Sequence, residues 1–404
     1  MPPFAGRDPR NTIARLSLVL TGFLMILLLA SPITASALLG LKDPIQLVNT
    51  GVAFGSSVAL GGGLALVGAK GLASPFDTQT GSLASLFDAH TGSLLFTIGR
   101  VQPGVRVWSV AVGDGFLAVG VSREPSQYFT ALGIAYVFNA TTGGLVYNLT
   151  SPNPEWGGFG QAVGIGDGLI VVGAPFENLG AGNAYVFNAQ TGTRMFALTS
   201  PNPPGLFGSS VNVDHGLIVV GAPYDQESAG SVYVFNDNTG SLLLTLTNPN
   251  PSPVTVYGRG GFGSSVSIGG GLIVAGAPYE GAVGFLPPPG NAFVFDARTG
   301  SLVSTLANPD AQHGGLFGWS VSMSGGIIAV GAPQLHVRGY AAAGEAFVFN
   351  AHTGSLWSVL TSPNLGTGER FGWSVSVDRS LVLVGAPNPN NPFSFQTGSA
   401  YLFQ

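Results

Sequence analysis

The sequence predicts an all-β fold, a seven-bladed β-propeller of four-stranded antiparallel blades closed by the amino-terminal strand joining the last blade. Three observations predict it. A pattern starting near residues 54, 106, 159, 207, 262, 317 and 371 repeats seven times with a period of 48 to 55 residues, the length of one propeller blade. Four short apolar runs bounded by Gly, Pro, Asn and Ser recur in each copy, as strands do. Finally, 14 residues separate the first residue of every copy from the Gly that ends its second run.

The first run, as in Phe317 to Met323, alternates loosely. The second, as in Leu217 to Val220, is continuously apolar, which suits a strand covered on both faces by neighbouring blades. It ends in Gly-Ala-Pro five times (Pro175, Pro223, Pro278, Pro333 and Pro387), where proline removes a ladder donor. Tyr233 to Phe235 and Leu242 to Leu246 typify the third and fourth runs. Between them lies a polar turn ending in Gly, as at Asn188 to Gly192, Asp296 to Gly300 and Asn350 to Gly354. The chain stops in a third run, Tyr401 to Phe403, and Pro44 to Asn49 is apolar enough to be the missing fourth. Pairing of these two segments closes the ring without an open edge.

In an up-and-down blade, connections 1-2 and 3-4 lie on one face of the disc and connections 2-3 and 4-1 on the other. The first pair keeps its length, whereas 2-3 varies from 14 to 19 residues and 4-1 from 14 to 22. Function is therefore expected on the 2-3 and 4-1 face.

Composition narrows the partners. With 14 Lys plus Arg against 19 Asp plus Glu, the chain lacks the basic clusters that phosphate binding needs, so no nucleic-acid partner is expected. Hydrophobic residues make up 45% of it, which excludes disorder, and the absence of Cys excludes disulfides and thiolate ligands. Residues 1 to 37 read as a signal peptide or an N-terminal membrane anchor: Arg7, Arg10 and Arg15, the apolar run Leu16 to Ala30, then small residues ending at Ala37. Residues 38 to 404 form the propeller, placed outside the cytoplasm at the cell surface, with membrane contact only through the amino-terminal segment, and a monomer is expected.

Phe-Gly followed by Gly-Ala-Pro at this spacing resembles the FG-GAP repeat, found in the integrin alpha-subunit propeller and in many exported bacterial and archaeal proteins. The likeness covers about residues 44 to 404 and implies a propeller used for binding or adhesion. Family members with calcium carry an Asp-x-Asp-x-Asp-Gly loop before the second strand. The corresponding places here, such as Gly113-Asp114-Gly115 and Asp214-His215-Gly216, hold at most one carboxylate each, so no calcium and no other metal is expected.

Neither cofactor nor catalysis is expected. His90 and His352 fall at equivalent turn positions, and Ser209 and Ser264 recur at first-strand positions without a Gly-x-Ser-x-Gly elbow. The Asn/Asp-Ala-x-Thr-Gly turns also resemble quinoprotein dehydrogenase repeats, but only His352 to Trp357 approaches that pattern, at a shorter distance. The competing classes are an exported quinoprotein-like or hydrolytic enzyme and a structural surface-layer component. Ligand capture, protein or carbohydrate, is expected from Trp156, Phe176, Tyr224, Asp225, Tyr257, Arg259, Tyr279, Glu280, Arg338, Tyr340 and Arg370 on the variable face, because aromatic and Arg side chains dominate recognition sites. Asn139 and Asn148 begin glycosylation sequons.

Overall fold

The computed structural model describes residues 43–48, 53–69, 82–99, 105–123, 133–153, 157–251, 260–281, 288–311, 314–388 and 398–404. They form seven four-stranded sheets, each antiparallel and each in the order first, second, third, fourth strand. First strands of successive blades pack against one another around the ring, so they are innermost and the fourth strands form the rim. Ile45–Leu47 pairs antiparallel with Ser399–Phe403, opposite Leu402 at one end and Ala400 at the other, and completes blade 7 as expected. Leu47 is fully buried in one apolar cluster with Phe54, Leu383 and Leu402, so chain ends and first blade share a core.

Periodicity explains the layers. The second strand Leu169–Ala174 is buried at every position, as its unbroken apolar run requires. Fourth strands such as Leu242–Thr247 bury one side chain of six, Leu246, and expose most of the rest. The polar turns are built as the sequence suggests: Asn188 Oδ1 accepts the backbone N–H groups of Gln190 and Thr191, and Gly192 takes φ of 67°.

One expectation needs correction. In blades 3 to 7 the Phe-Gly pair precedes the first strand, which starts at Ala162, Ser210, Ser265, Ser320 and Ser374. Its glycine adopts φ of 85° to 91° and turns the chain away from the ladder. Nor do the two halves of the motif meet only within one blade. A Cβ placed on Gly221 of the Gly-Ala-Pro would lie 2.0 Å from the carbonyl oxygen of Gly263, the Phe-Gly glycine of the next blade. The equivalent approach recurs at 1.9–2.0 Å from Gly120, Gly173, Gly276, Gly331 and Gly385 to Gly160, Gly208, Gly318, Gly372 and Gly55. Both glycines are thus demanded by backbone contact across the seam, and the constant 14-residue spacing keeps them level. Blade 2, which has Val107 at this place, meets Gly68 with a side-chain methyl at 3.1 Å instead.

The same seam carries a hydrogen-bond series. Ser109, Ser210, Ser265, Ser320 and Ser374 each donate their hydroxyl to the Phe-Gly glycine carbonyl of the following blade, at 2.8–3.0 Å. The phenylalanines are buried anchors: Phe207 lies between Tyr233 and Phe235 with ring centroids 5.7 and 5.9 Å apart. Residues 1–42, on which the expected signal peptide or anchor falls, lie outside the described residues. No helix among the described residues is long and apolar enough to cross a membrane.

Candidate functional site

The 2-3 and 4-1 connections meet where each second strand ends. Two residues after the alanine of Gly-Ala-Pro comes a side chain that points outward, and three residues after it one that points inward. The outward position holds Phe176, Tyr224 and Tyr279 in blades 3 to 5; Tyr224 is 53% exposed and the other two are half-buried. Phe176 covers Gly158 of the incoming link and Tyr279 covers Gly261, where a Cβ would lie 2.7 and 2.8 Å from their rings. Burial, with Tyr224 nearby, pushes the Tyr279 phenol up.

The inward position holds Glu177, Asp225 and Glu280, at 2%, 0% and 1% exposure. Asp225 and Glu280, expected to face a ligand, therefore belong to the interior. Glycine in the incoming link makes room for them: a Cβ on Gly157 would lie 2.2 Å from Glu177, and one on Gly205 would lie 1.6 Å from Asp225.

The carboxylates differ in what faces them. Glu177 accepts from Ser151, Asn153 at 3.1 Å, Asn183 at 2.6 Å and the Tyr185 hydroxyl at 2.5 Å. Asp225 accepts a short bond from the Tyr233 hydroxyl, while its Oδ1 has no hydrogen-bond partner. In return, burial and the Glu177 carboxylate push the Tyr185 phenol up to about 12, and burial with Asp225 pushes Tyr233 up further still. Blade 5 has Phe293 at the tyrosine position. Asn250 and Asn291 lie beside Glu280, but neither oxygen of that carboxylate is reached in hydrogen-bond geometry. Burial raises Glu280 to about 7.

Blade 6 moves the carboxylate to the facing strand. Leu335 is buried where blades 3 to 5 have Glu or Asp, and Glu345, paired opposite Ala332, stands where they have Asn183, Ser231 and Asn291. Phe347 again replaces tyrosine. Burial and then Asp310 raise Glu345 to about 7, with Arg338 acting in the opposite sense. Glu369, on the link into blade 7, accepts from Ser362 at 2.5 Å and from Tyr401 at 3.3 Å, and burial still raises it.

Of the remaining expected residues, Arg338 and Tyr340 are exposed on the blade 6 loop. Arg370 is half-buried with its guanidinium carbon 5.2 Å from the centroid of Trp373. Trp156, Tyr257 and Arg259 lie outside the described residues. Asn148 is exposed on the rim of blade 2, and Asn139 turns its Oδ1 to the backbone of Thr141 and Thr142.

Sequence reasoning passed over three aromatics. Trp108, Trp319 and Trp373 occupy the residue after the Phe-Gly pair or its equivalent; Trp319 and Trp373 stand just before the innermost strand, and Trp108 lies at a bulge inside it. Trp319 and Trp373 come from adjacent blades with centroids 4.8 Å apart, and Trp108 is 40% exposed with its indole N–H donated to Ser122 at 2.5 Å. The signal available was recurrence: one position of the repeat alternates between Trp and a small polar residue.

On the opposite face, Asp114 and Asp167 accept the N–H groups of Gly168 and Gly216 of the next blade at 2.8 Å, while Asp214 pairs with His215 at 2.7 Å. These acids tie loops together. Among the described residues no three His, Asp or Glu side chains converge to hold a metal ion.

With this geometry in place, the FG-GAP repeat family model matches the chain at residues 205–235, 301–349 and 357–403. The chain carries FG-GAP repeats. The matches fall on blade 4, on the rim strand of blade 5 with most of blade 6, and on the rim strand of blade 6 with blade 7. There the Phe-Gly and Gly-Ala-Pro glycines meet across successive seams. No curated protein matched the sequence. An FG-GAP propeller is a fold consistent with a binding or adhesion module.

Proposed function

We propose that this FG-GAP propeller is an exported, cell-surface-associated binding or adhesion module without catalysis or a cofactor of its own. The observation that carries the reading is a division of labour on the variable face. Aromatic side chains such as Tyr224, Tyr340, Trp319 and Trp373 reach the surface, while the acids Glu177, Asp225, Glu280 and Glu369 are withdrawn beneath it. Aromatics held on a rigid ring lose little entropy when they bind, which suits recognition. Acid–base catalysis needs ionisable groups presented to a substrate, and these four acids are not. The basic and apolar amino terminus supports export. The decisive experiment combines cell fractionation, the mass of the mature amino terminus and a pull-down from surface extract; a cytoplasmic location would overturn the reading.

A second reading has its own observation. The first two residues of the rim strands are exposed and apolar in several blades, as at Leu94 and Leu95, Leu242 and Leu243, and Leu356 and Trp357. A rim of unpaired strands with apolar ends favours lateral assembly into a surface layer. Sedimentation of purified protein would show concentration-dependent association, and a monomer at all concentrations would reject it.

A further inference from the structure

Blades 3 to 7 each have two positions on the variable face that compete for one place: the residue after Phe-Gly and the residue after Gly-Ala-Pro. Their proximity is direct in two blades. A Cβ on Gly158 would lie 2.7 Å from Phe176 and 3.2 Å from Gln161, and one on Gly261 would lie 2.8 Å from Tyr279 and 3.2 Å from the Ser264 hydroxyl. Blades 3, 4 and 5 put the aromatic after Gly-Ala-Pro and a small polar residue after Phe-Gly. Blades 6 and 7 exchange them, pairing Trp319 with Gln334 and Trp373 with Asn388, and blade 2 supplies Trp108. One aromatic is kept in each of blades 2 to 7 while its attachment point changes, which packing within a blade does not require.

We propose that these six side chains, Trp108, Phe176, Tyr224, Tyr279, Trp319 and Trp373, form a collar around the ring axis that binds an uncharged saccharide chain. The proposal rests on the reading of this face as a binding surface and names its ligand. Three observations select the ligand class. First, all six are exposed or half-buried, so their ring faces can take the C–H face of a sugar. Second, hydroxyl or amide groups alternate with the aromatics. Ser209 and Ser264 donate to the backbone carbonyls of Leu206 and Gly261 at 2.7 and 2.6 Å, leaving each oxygen as an acceptor for a sugar hydroxyl. Third, four acids of this face, Glu177, Asp225, Glu280 and Glu369, are buried and Arg370 is stacked on Trp373, so a charged ligand gains little from them. A site that repeats from blade to blade also suits a ligand that repeats along its length. Such binding would be multivalent, with each weak subsite strengthened by its neighbours.

The test uses the purified full chain and soluble glucan, mannan, xylan and chitin oligosaccharides, followed by tryptophan fluorescence and calorimetry. The expected result is a saturable fluorescence change with at least one of them. Trp319→Ala with Trp373→Ala, and separately Tyr224→Ala with Tyr279→Ala, should weaken that binding tenfold or more. Met195→Ala, an exposed apolar residue on the rim strand of blade 3 away from the collar, should leave it within twofold. Melting temperature and circular dichroism of each variant separate lost binding from lost folding. Failure of all four oligosaccharides to bind, or undiminished binding by folded collar variants, overturns the proposal. Capture of a protein partner that the collar variants lose would overturn the saccharide while leaving the binding-module reading intact.

Discussion

Blades 4 and 5 share strands, seam glycines and loop positions, and burial raises the acid in both, yet they face it with different groups. Blade 4 sets Asp225 against the Tyr233 hydroxyl; blade 5 sets Glu280 against Phe293, which has no hydrogen to give. A carboxylate held by a phenol keeps part of its solvation, whereas one facing a phenyl ring is stabilised by binding a proton. Blades 3 and 7 follow blade 4, through Tyr185 and Tyr401, and blade 6 follows blade 5, through Phe347 beside Glu345. One oxygen atom on the third strand therefore separates two kinds of blade in a single ring.

The harshest way to break the comparison is to remove the scaffold that both kinds share. Deleting residues 44–48 exposes the edge of Ser399–Phe403 and opens the cluster around Leu47, so the largest fall in melting temperature of any change considered is expected. An unchanged circular dichroism melt would refute closure by the chain ends. Next comes Tyr233→Phe, which turns blade 4 into blade 5. Loss of the donor to a fully buried carboxylate is expected to cost about 1–3 kcal/mol in denaturant unfolding at neutral pH. A change below the error of that measurement would mean that the phenol is not what holds Asp225.

The pH dependence has a definite sign. Glu280 and Glu345 titrate near 7 in the folded protein against an ordinary value of 4.5, so folding favours their protonated forms. Their stabilising contribution is fully present below about pH 4.5 and is lost as pH rises through about 7. Melting temperature is thus expected to rise by a few degrees between pH 7.5 and pH 5, and Glu280→Gln combined with Glu345→Gln should flatten that rise. An unaltered slope in the double variant would show that other groups carry it. The smallest effect is expected from the reverse exchange, Phe293→Tyr, which offers Glu280 a donor: a gain of at most about 1 kcal/mol at pH 7.5, shrinking at pH 5 where the acid is already protonated. Equal gains at both pH values would assign the effect to packing.

How much was legible follows from what a one-dimensional pattern records. The blade count, the strand order and the ring closure were readable because Phe-Gly and Gly-Ala-Pro recur at fixed separation, and steric demand at the seam leaves little latitude there. Asp225 and Glu280 looked like surface acids because loops rich in Gly, Pro and Asn are usually exposed. That Asp225 folds inward depends on Gly205, in a link some 20 residues away, which no local rule connects to it. Trp319 and Trp373 were read as strand residues because their neighbours Ser320 and Ser374 are.

By itself the sequence determined the all-β class, the seven copies and the face on which loop lengths vary, since these rest on periodicity and backbone sterics, both local in origin. The tertiary structure alone decided which side chains of that face meet solvent. Closing the ring brings segments from different blades within a few ångströms, and only then is it fixed that the acids sink and that Trp319 and Trp373 of adjacent blades meet.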